Sequence, residues 1–297
     1  MSYNLLGEAF LNDFIEYFYN LNNITSIKKE NSYIFNYKNY TYIFSILERT
    51  PEELYEIARF TSQYSFLDVI IKNKDNKLVT KIYDKMYILT KKNNYSDNLL
   101  TYILEPKYVI NFNSILDKSN WVELWSRKID NIEYQLSHII NKFPLLCSSV
   151  NYYIGLAENG ISYIRRINGK ITKKTISHIR ISVDNISNLQ NIIIDNEARD
   201  ISEYLKYIFI VKRKEYRELA RKVLQVGRFN DNTLMYIYGR MFFLTFFFDK
   251  YDRIINNSVK EQEIESIVNR TEEYEDYIRY LYELIVMTKK IPNVYWI

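Results

Sequence analysis

The chain has 297 residues, 47% hydrophobic and 16% aromatic, enough to bury a large core; disorder is excluded, and one two-lobed domain or two small ones are expected. A formal net charge of +4, with Lys and Arg interspersed among Asp and Glu, gives no electrostatic footprint of a nucleic-acid binder. Cys147 is the single cysteine, which excludes an intramolecular disulfide and suits synthesis in a reducing cytoplasm.

Met1 to Asn4 lacks the basic start of a signal peptide, and acidic Glu8 and Asp13 soon follow. Leu5, Phe10, Phe14, Tyr17 and Leu21 then lie on one helical stripe. Alternation follows: Tyr33, Phe35 and Tyr37, then Tyr40, Tyr42 and Phe44, predict a hairpin turning at Lys38-Asn39. Thr50-Pro51-Glu52-Glu53 is a helix start in which Thr50 caps, Pro51 takes the first turn and Glu53 completes a capping box, with the helix running to about Gln63. Strands are predicted around Val69-Ile70-Ile71, from Lys77 to Tyr83, and over Met86 to Leu89, with tight turns at Asp75-Asn76 and Asp84-Lys85. Lys91 to Asp97, polar and aperiodic, reads as a hinge.

Beyond it the pattern is helical. Trp121, Leu124, Trp125, Ile129 and Ile132 form one stripe and Ile154 to Tyr163 another, and 214–226, 231–256 and 260–288 are long amphipathic segments. The aromatic groups Tyr152, Tyr153, Phe242, Phe243 and Phe247 are expected in the core with Trp121 and Trp125, and Val294 to Ile297 is expected to dock as an apolar tail. The most apolar run, Met241 to Phe248, falls well short of the roughly 20 residues that span a bilayer. A soluble protein without membrane insertion is expected. The basic run Lys212-Arg213-Lys214, continued by Arg217, Arg221 and Lys222, reads as a solvated helix face.

The order of hairpin, helix, strands and helical remainder predicts an α+β, two-lobed protein-kinase-like fold: a small β-rich lobe over 1–90, a hinge over 91–98 and a larger, mostly helical lobe over 99–297. Phosphoryl transfer needs a loop over the phosphates, a lysine on them, a group to position the nucleophile, and magnesium ligands. Gly7 is the only glycine before Gly155, so the first hairpin supplies no glycine-rich phosphate loop. The strand from Tyr40 to Leu47 holds no lysine.

Kinases of the aminoglycoside phosphotransferase type carry His-Gly-Asp, four residues and then Asn. Here His178, Ile179 and Arg180 take the first places and Asn185 the last, so a guanidinium stands for the proton acceptor. Loss of a base costs roughly 10²- to 10⁴-fold in rate. No catalytic residue is therefore expected in this degenerate loop. Asp195, after Ile192-Ile193-Ile194, stands where a magnesium-binding aspartate would close a buried strand; with Asn185 it would hold the metal and nucleotide only if a nucleotide binds. His178 is expected to be a hydrogen-bonded structural histidine, and Asp200 a cap for a helix over Ile201 to Tyr207 with Glu203 three residues on.

Trp121-Val122-Glu123-Leu124-Trp125, Tyr152-Tyr153-Ile154-Gly155-Leu156-Ala157-Glu158-Asn159, Ser177-His178-Ile179-Arg180, Arg199-Asp200-Ile201-Ser202-Glu203-Tyr204-Leu205, Tyr238-Gly239-Arg240-Met241-Phe242-Phe243 and the terminal Ile291 to Ile297 occur in one order. In these the chain resembles the YutH-like branch of the CotS-related spore coat proteins, relatives of the aminoglycoside phosphotransferases, over 121–297 and more faintly over 50–90. Arginine replaces the loop aspartate in that branch too, whereas Ser177 and Ile179 depart from its more basic, cysteine-containing pattern.

The resemblance implies a kinase-like fold, synthesis in the mother-cell cytoplasm during sporulation, association with the spore coat, and other coat proteins as partners. The leading expectation is a noncatalytic coat component that requires no cofactor. The alternatives are an ATP-dependent phosphotransferase using Mg-ATP, with Asp184 or Glu158 positioning the acceptor, and a pocket that senses a nucleotide or metabolite without turnover.

Overall fold

The computed structural model describes residues 8–29, 32–61, 64, 66–93, 99–105, 109–110, 112–167, 173–227 and 229–294. Residues 94–98 of the expected hinge, Gln63 and the terminal 295–297 lie outside them. The chain divides into two compact units, one of residues 1–97 with 183–192, the other of 98–182 with 193–297.

In the first unit, helix α1 (Glu8–Tyr19) precedes a short strand β1 (Ile27–Lys29), then β2 (Ser32–Tyr37) and β3 (Tyr40–Ile46). The β2–β3 hairpin turns at Lys38 and Asn39, whose φ of 48° and 66° give the mirror-image turn that matches strand twist. Helix α2 (Pro51–Thr61) starts with the expected capping box: the Glu53 amide donates to Thr50 Oγ1 at 3.2 Å, and the Thr50 amide to Glu53 Oε2 at 3.3 Å. Strands β4 (Val69–Ile71), β5 (Thr80–Ile82) and β6 (Lys85–Lys91) complete an antiparallel sheet of order β1-β2-β3-β6-β4, with β5 also paired to β6.

Two readings of this stretch are corrected. Residues 72–79 form a loop organised by Asn73, whose Oδ1 accepts from the amides of Asp75 and Lys77, so β4 pairs with β6 and not with β5. The β5–β6 turn is Tyr83-Asp84, since Ile82 pairs with Lys85.

The period of two in β6 sorts the core. Tyr87 and Leu89 join Phe35, Phe44 and the α1 residues Leu11 and Ile15, whereas Ile88 joins Leu54 of α2 with Leu47 and Leu78. One helix thus covers each face of the sheet. Residues 183–192 are fastened to this unit. Arg49 donates to the carbonyls of Gln190 (2.8 Å) and Ile192 (2.5 Å), and the Gln190 side chain accepts from the Glu48 amide (2.7 Å) and donates to Ile46 O (2.9 Å).

In the second unit the helices are α3 (Leu99–Leu104), α4 (Trp121–Ile139) and α5 (Pro144–Ile167). A two-stranded sheet of β7 (Lys174–His178) and β8 (Ile192–Asn196) follows, then α6 (Ala198–Val211) and α7 (Tyr216–Val226). The chain continues through α8 (Asp231–Met241), α9 (Thr245–Ile255), α10 (Glu265–Val268) and α11 (Thr271–Val286). Trp121, Trp125, Ile129 and Ile132 are buried on α4, but Leu124 is exposed, and so is Tyr152 on α5, whose hydroxyl donates to Glu275. Helices α5 and α8 meet at two glycines: a Cβ on Gly160 would lie 2.9 Å from Gly239 O, and one on Gly239 would lie 2.8 Å from Ile164.

Candidate functional site

The stretch from β7 through β8 into α6 gathers the residues singled out above. Asp195 is the penultimate residue of β8 and is 0% exposed. Both carboxylate oxygens are engaged: Oδ1 accepts from Trp121 Nε1 (2.5 Å) and the Asn196 amide (2.6 Å), and Oδ2 from Arg199 Nη1 (2.9 Å). Burial pushes the Asp195 carboxyl above its ordinary value, and Arg199 and Arg240 oppose that rise.

Arg199 also holds the loop, donating from Nε to His178 O at 2.9 Å and from Nη2 to Ile179 O at 3.1 Å. One guanidinium therefore fixes the end of β7, the start of the loop and the end of β8.

His178, 0% exposed, is bound through its amide to Asp200 Oδ1 (2.8 Å) and through Nδ1 to Asp200 Oδ2 (2.9 Å). A carboxylate only accepts, so Nδ1 carries the proton. Tyr102 donates to the same carboxylate at 3.3 Å, and its ring meets the imidazole edge-on at 5.4 Å. The cap assigned to Asp200 is corrected: α6 starts at Ala198, Asn196 Oδ1 accepts from the Ala198 amide (2.9 Å), and Asp200 sits inside the first turn holding His178.

Arg180 is clamped to Asp249 of α9 in a two-pronged pair, Nε to Oδ2 and Nη2 to Oδ1, each at 2.5 Å. Asn185 belongs with the first unit, where its carbonyl accepts from the Asn188 amide (3.2 Å) and from Asn191 Nδ2 (3.1 Å). Asp184, and Glu158 on α5, are exposed. Among the described residues no group of three or more His, Cys, Asp or Glu is arranged to hold a metal ion.

Beside the loop lies a buried charge cluster. Glu203 accepts from Lys206 Nζ (2.8 Å), Arg240 Nη2 (3.4 Å) and Thr245 Oγ1 (3.0 Å), and Lys206 also donates to Phe243 O (3.1 Å). Arg240 lies 3.6 Å from the Trp121 ring centroid and 5.1 Å from that of Trp125, and among the described residues its Nε and Nη1 find no hydrogen-bond partner. Burial pulls Lys206 down to about 7 and Arg240 to about 10, each against the attraction of Glu203. Burial alone would raise Glu203, but Lys206, Arg180, Arg199 and Arg240 outweigh it and hold the carboxyl far below the usual range.

Residues 12–281 match the family model described as "Spore coat putative kinase YutH". The chain belongs to this family. The endospore coat-associated protein YutH of Bacillus subtilis (strain 168) is 22% identical over 287 residues, spanning 82% of this chain and 84% of that relative. Among solved structures, the AMP-bound complex of spectinomycin phosphotransferase APH(9)-Ia aligns with a TM-score of 0.58 at 12% identity, covering 96% of this chain and 100% of its own. The aminoglycoside phosphotransferase of Alicyclobacillus acidocaldarius aligns at 0.53 and 8% identity, over 97% and 98% of the two chains. The choline kinase LicA of Streptococcus pneumoniae does so at 0.51 and 11%, over 93% and 99%. These likenesses establish the two-lobed kinase-like fold expected from the order of elements.

In this YutH-family chain, the sequence reading missed Arg199 as the organiser, Asp249 as the partner of Arg180, and the burial of Glu203 and Lys206. Arg199 follows Asp195 by only four residues, across the turn from β8 into α6, and that closeness in sequence is a usable signal. Asp249 stands 69 residues from Arg180 and carries none.

Proposed function

We propose that this YutH-family protein is a noncatalytic, kinase-like component of the endospore coat, made in the mother cell and acting through interactions with other coat proteins. The observation that carries the reading is the Arg180–Asp249 clamp: the loop position that would supply a proton acceptor holds a guanidinium secured by two hydrogen bonds. A guanidinium stays protonated and cannot accept a proton from an attacking hydroxyl.

The donor set at Asp195 does not suit magnesium. A metal needs free carboxylate lone pairs, and here Trp121, Asn196 and Arg199 take both oxygens while Arg199 and Arg240 bring positive charge close. β3 also lacks a lysine, and the two-residue turn before it lacks glycine. The coat assignment rests on family membership and on the coat association named for the Bacillus subtilis relative.

A catalytic reading is favoured by one observation, the alignment with phosphotransferases solved in nucleotide complexes. It would use Mg-ATP, with Asp195 and Asn185 as ligands and Asp184 or Glu158 positioning the acceptor. Incubation of the purified chain with labelled ATP and spore extract separates the two. Absence of transfer, together with a fluorescent fusion that decorates the forespore, is the expected result. Transfer that requires Asp195, or a fusion that stays diffuse in the mother cell, overturns the corresponding half of the proposal.

A further inference from the structure

The expected solvated face at 212–222 carries more than solubility requires. These eleven residues hold six basic and two acidic side chains, a net of +4 that equals the formal charge of the whole chain. Lys212, Arg213 and Lys214 lie in the turn between α6 and α7, with Arg217, Arg221 and Lys222 on α7, and all six are exposed. Internal acids absorb little of this charge: Lys222 pairs with Glu218 at 2.6 Å, and Arg213 acts on Glu273, which is already bound by Arg270 at 2.7 Å. Among the described residues, Lys212, Lys214, Arg217 and Arg221 form no ion pair.

The face is also partly preset. Tyr280 of α11 donates its hydroxyl to Arg217 O at 3.2 Å and places its ring 5.3 Å from the Arg217 guanidinium, with the Tyr216 ring at 5.9 Å. Holding an arginine against aromatic surface lowers the entropy that ordering it would otherwise cost.

We infer that this face docks an acidic protein segment, one that presents a carboxylate on each turn of a helix. The inference rests on reading the chain as an interaction component of the coat. Arg217 and Arg221 stand about one helical turn apart, roughly 5.4 Å along the axis, which is the repeat of carboxylates spaced three or four residues apart. Glu215, exposed among the cations, opposes an unbroken phosphate backbone yet can pair with a basic residue of a protein partner and fix its register. Val211 is the one large apolar side chain exposed along 211–222, too little to anchor the face in a bilayer.

The test is fluorescence anisotropy of the full chain with a labelled helical peptide carrying Glu at every third and fourth position. The same peptide with Gln for Glu, duplex DNA and phosphatidylserine vesicles serve as competing probes. The acidic peptide is expected to bind, to weaken as salt rises, and to lose at least tenfold in affinity with Lys214→Glu, Arg217→Glu and Arg221→Glu combined. The milder Lys214→Gln with Arg221→Gln, checked by circular dichroism, guards against misfolding of the triple variant and should lose affinity in the same direction. No binding, equal binding of the Gln peptide, tighter binding of DNA or vesicles, or an unchanged affinity in both variants overturns the inference. A wild-type fusion that decorates the forespore while the peptide fails to bind overturns only this surface and leaves the coat reading intact.

Discussion

Asp195→Ala makes opposite demands on the two readings of this chain. Where an aspartate serves as a metal ligand facing a nucleotide, its removal without metal relieves charge and leaves stability nearly unchanged. Here the side chain is wholly buried and holds Trp121 Nε1, the Asn196 amide and Arg199. Alanine strands the Arg199 charge and leaves the indole N–H without an acceptor. Breaking a buried pair from one side costs about 3–5 kcal/mol. Burial already weakens the ionised form of Asp195, which places the cost near the lower end, about 3 kcal/mol. At about 2–4 °C per kcal/mol for units of this size, the helical unit should melt about 6–12 °C earlier. Trp121 and Trp125 both lie in that unit, so tryptophan fluorescence during thermal or urea unfolding follows the transition. Asp195→Asn keeps an acceptor for Trp121 and should cost less than the alanine. An Asp195→Ala protein within about 1 kcal/mol of wild type refutes the reasoning.

Lys206 sets a pH dependence. Its pKa falls from 10.5 to about 7 on folding, so between these values the unfolded chain binds more protons and stability rises with pH. Urea midpoints measured from pH 7 to 9 should climb in wild type, and Lys206→Met should flatten that slope. The glycines of α5 separate packing from propensity. Gly155→Ala meets no atom within 4 Å and should stabilise by about 1 kcal/mol, whereas Gly160→Ala drives a methyl to 2.9 Å from Gly239 O and should destabilise by roughly 1–3 kcal/mol; calorimetry reads both signs. Thr50→Ala removes half of the α2 capping box and should lower stability of the first unit by about 1 kcal/mol in urea unfolding.

Local chemistry carried the fold into the sequence. The alternation of Tyr33 to Phe44 and the Thr50-Pro51-Glu52-Glu53 start each rest on neighbours a few residues apart, and each forms as read. β1 went unseen because all three of its residues are exposed and show no alternation. Leu124 sits about 60° off the buried stripe of α4, close enough to pass as part of it and far enough to stay in water. Asp200 mimicked a cap because Ser202, Glu203 and an apolar run follow it; the true signal was Asn196, two residues before the helix.

The site was less legible. Glu203 and Lys206 look like an ordinary surface pair at i,i+3, and only the apolar residues on both sides, with Arg240 standing 37 residues from Glu203 on another helix, would betray their burial. The Arg180–Asp249 clamp depends on the packing of α9 against the loop, which no local spacing encodes.

Thermal unfolding of the purified chain with and without magnesium and ATP tests the central claim most directly. A ligand present at a hundredfold its dissociation constant adds about 2.7 kcal/mol of stability. The account in which Trp121, Asn196 and Arg199 engage Asp195 and no Mg-ATP is held there predicts no shift of the helical unit's midpoint at millimolar ATP. A clear upward shift that Asp195→Asn abolishes would contradict it.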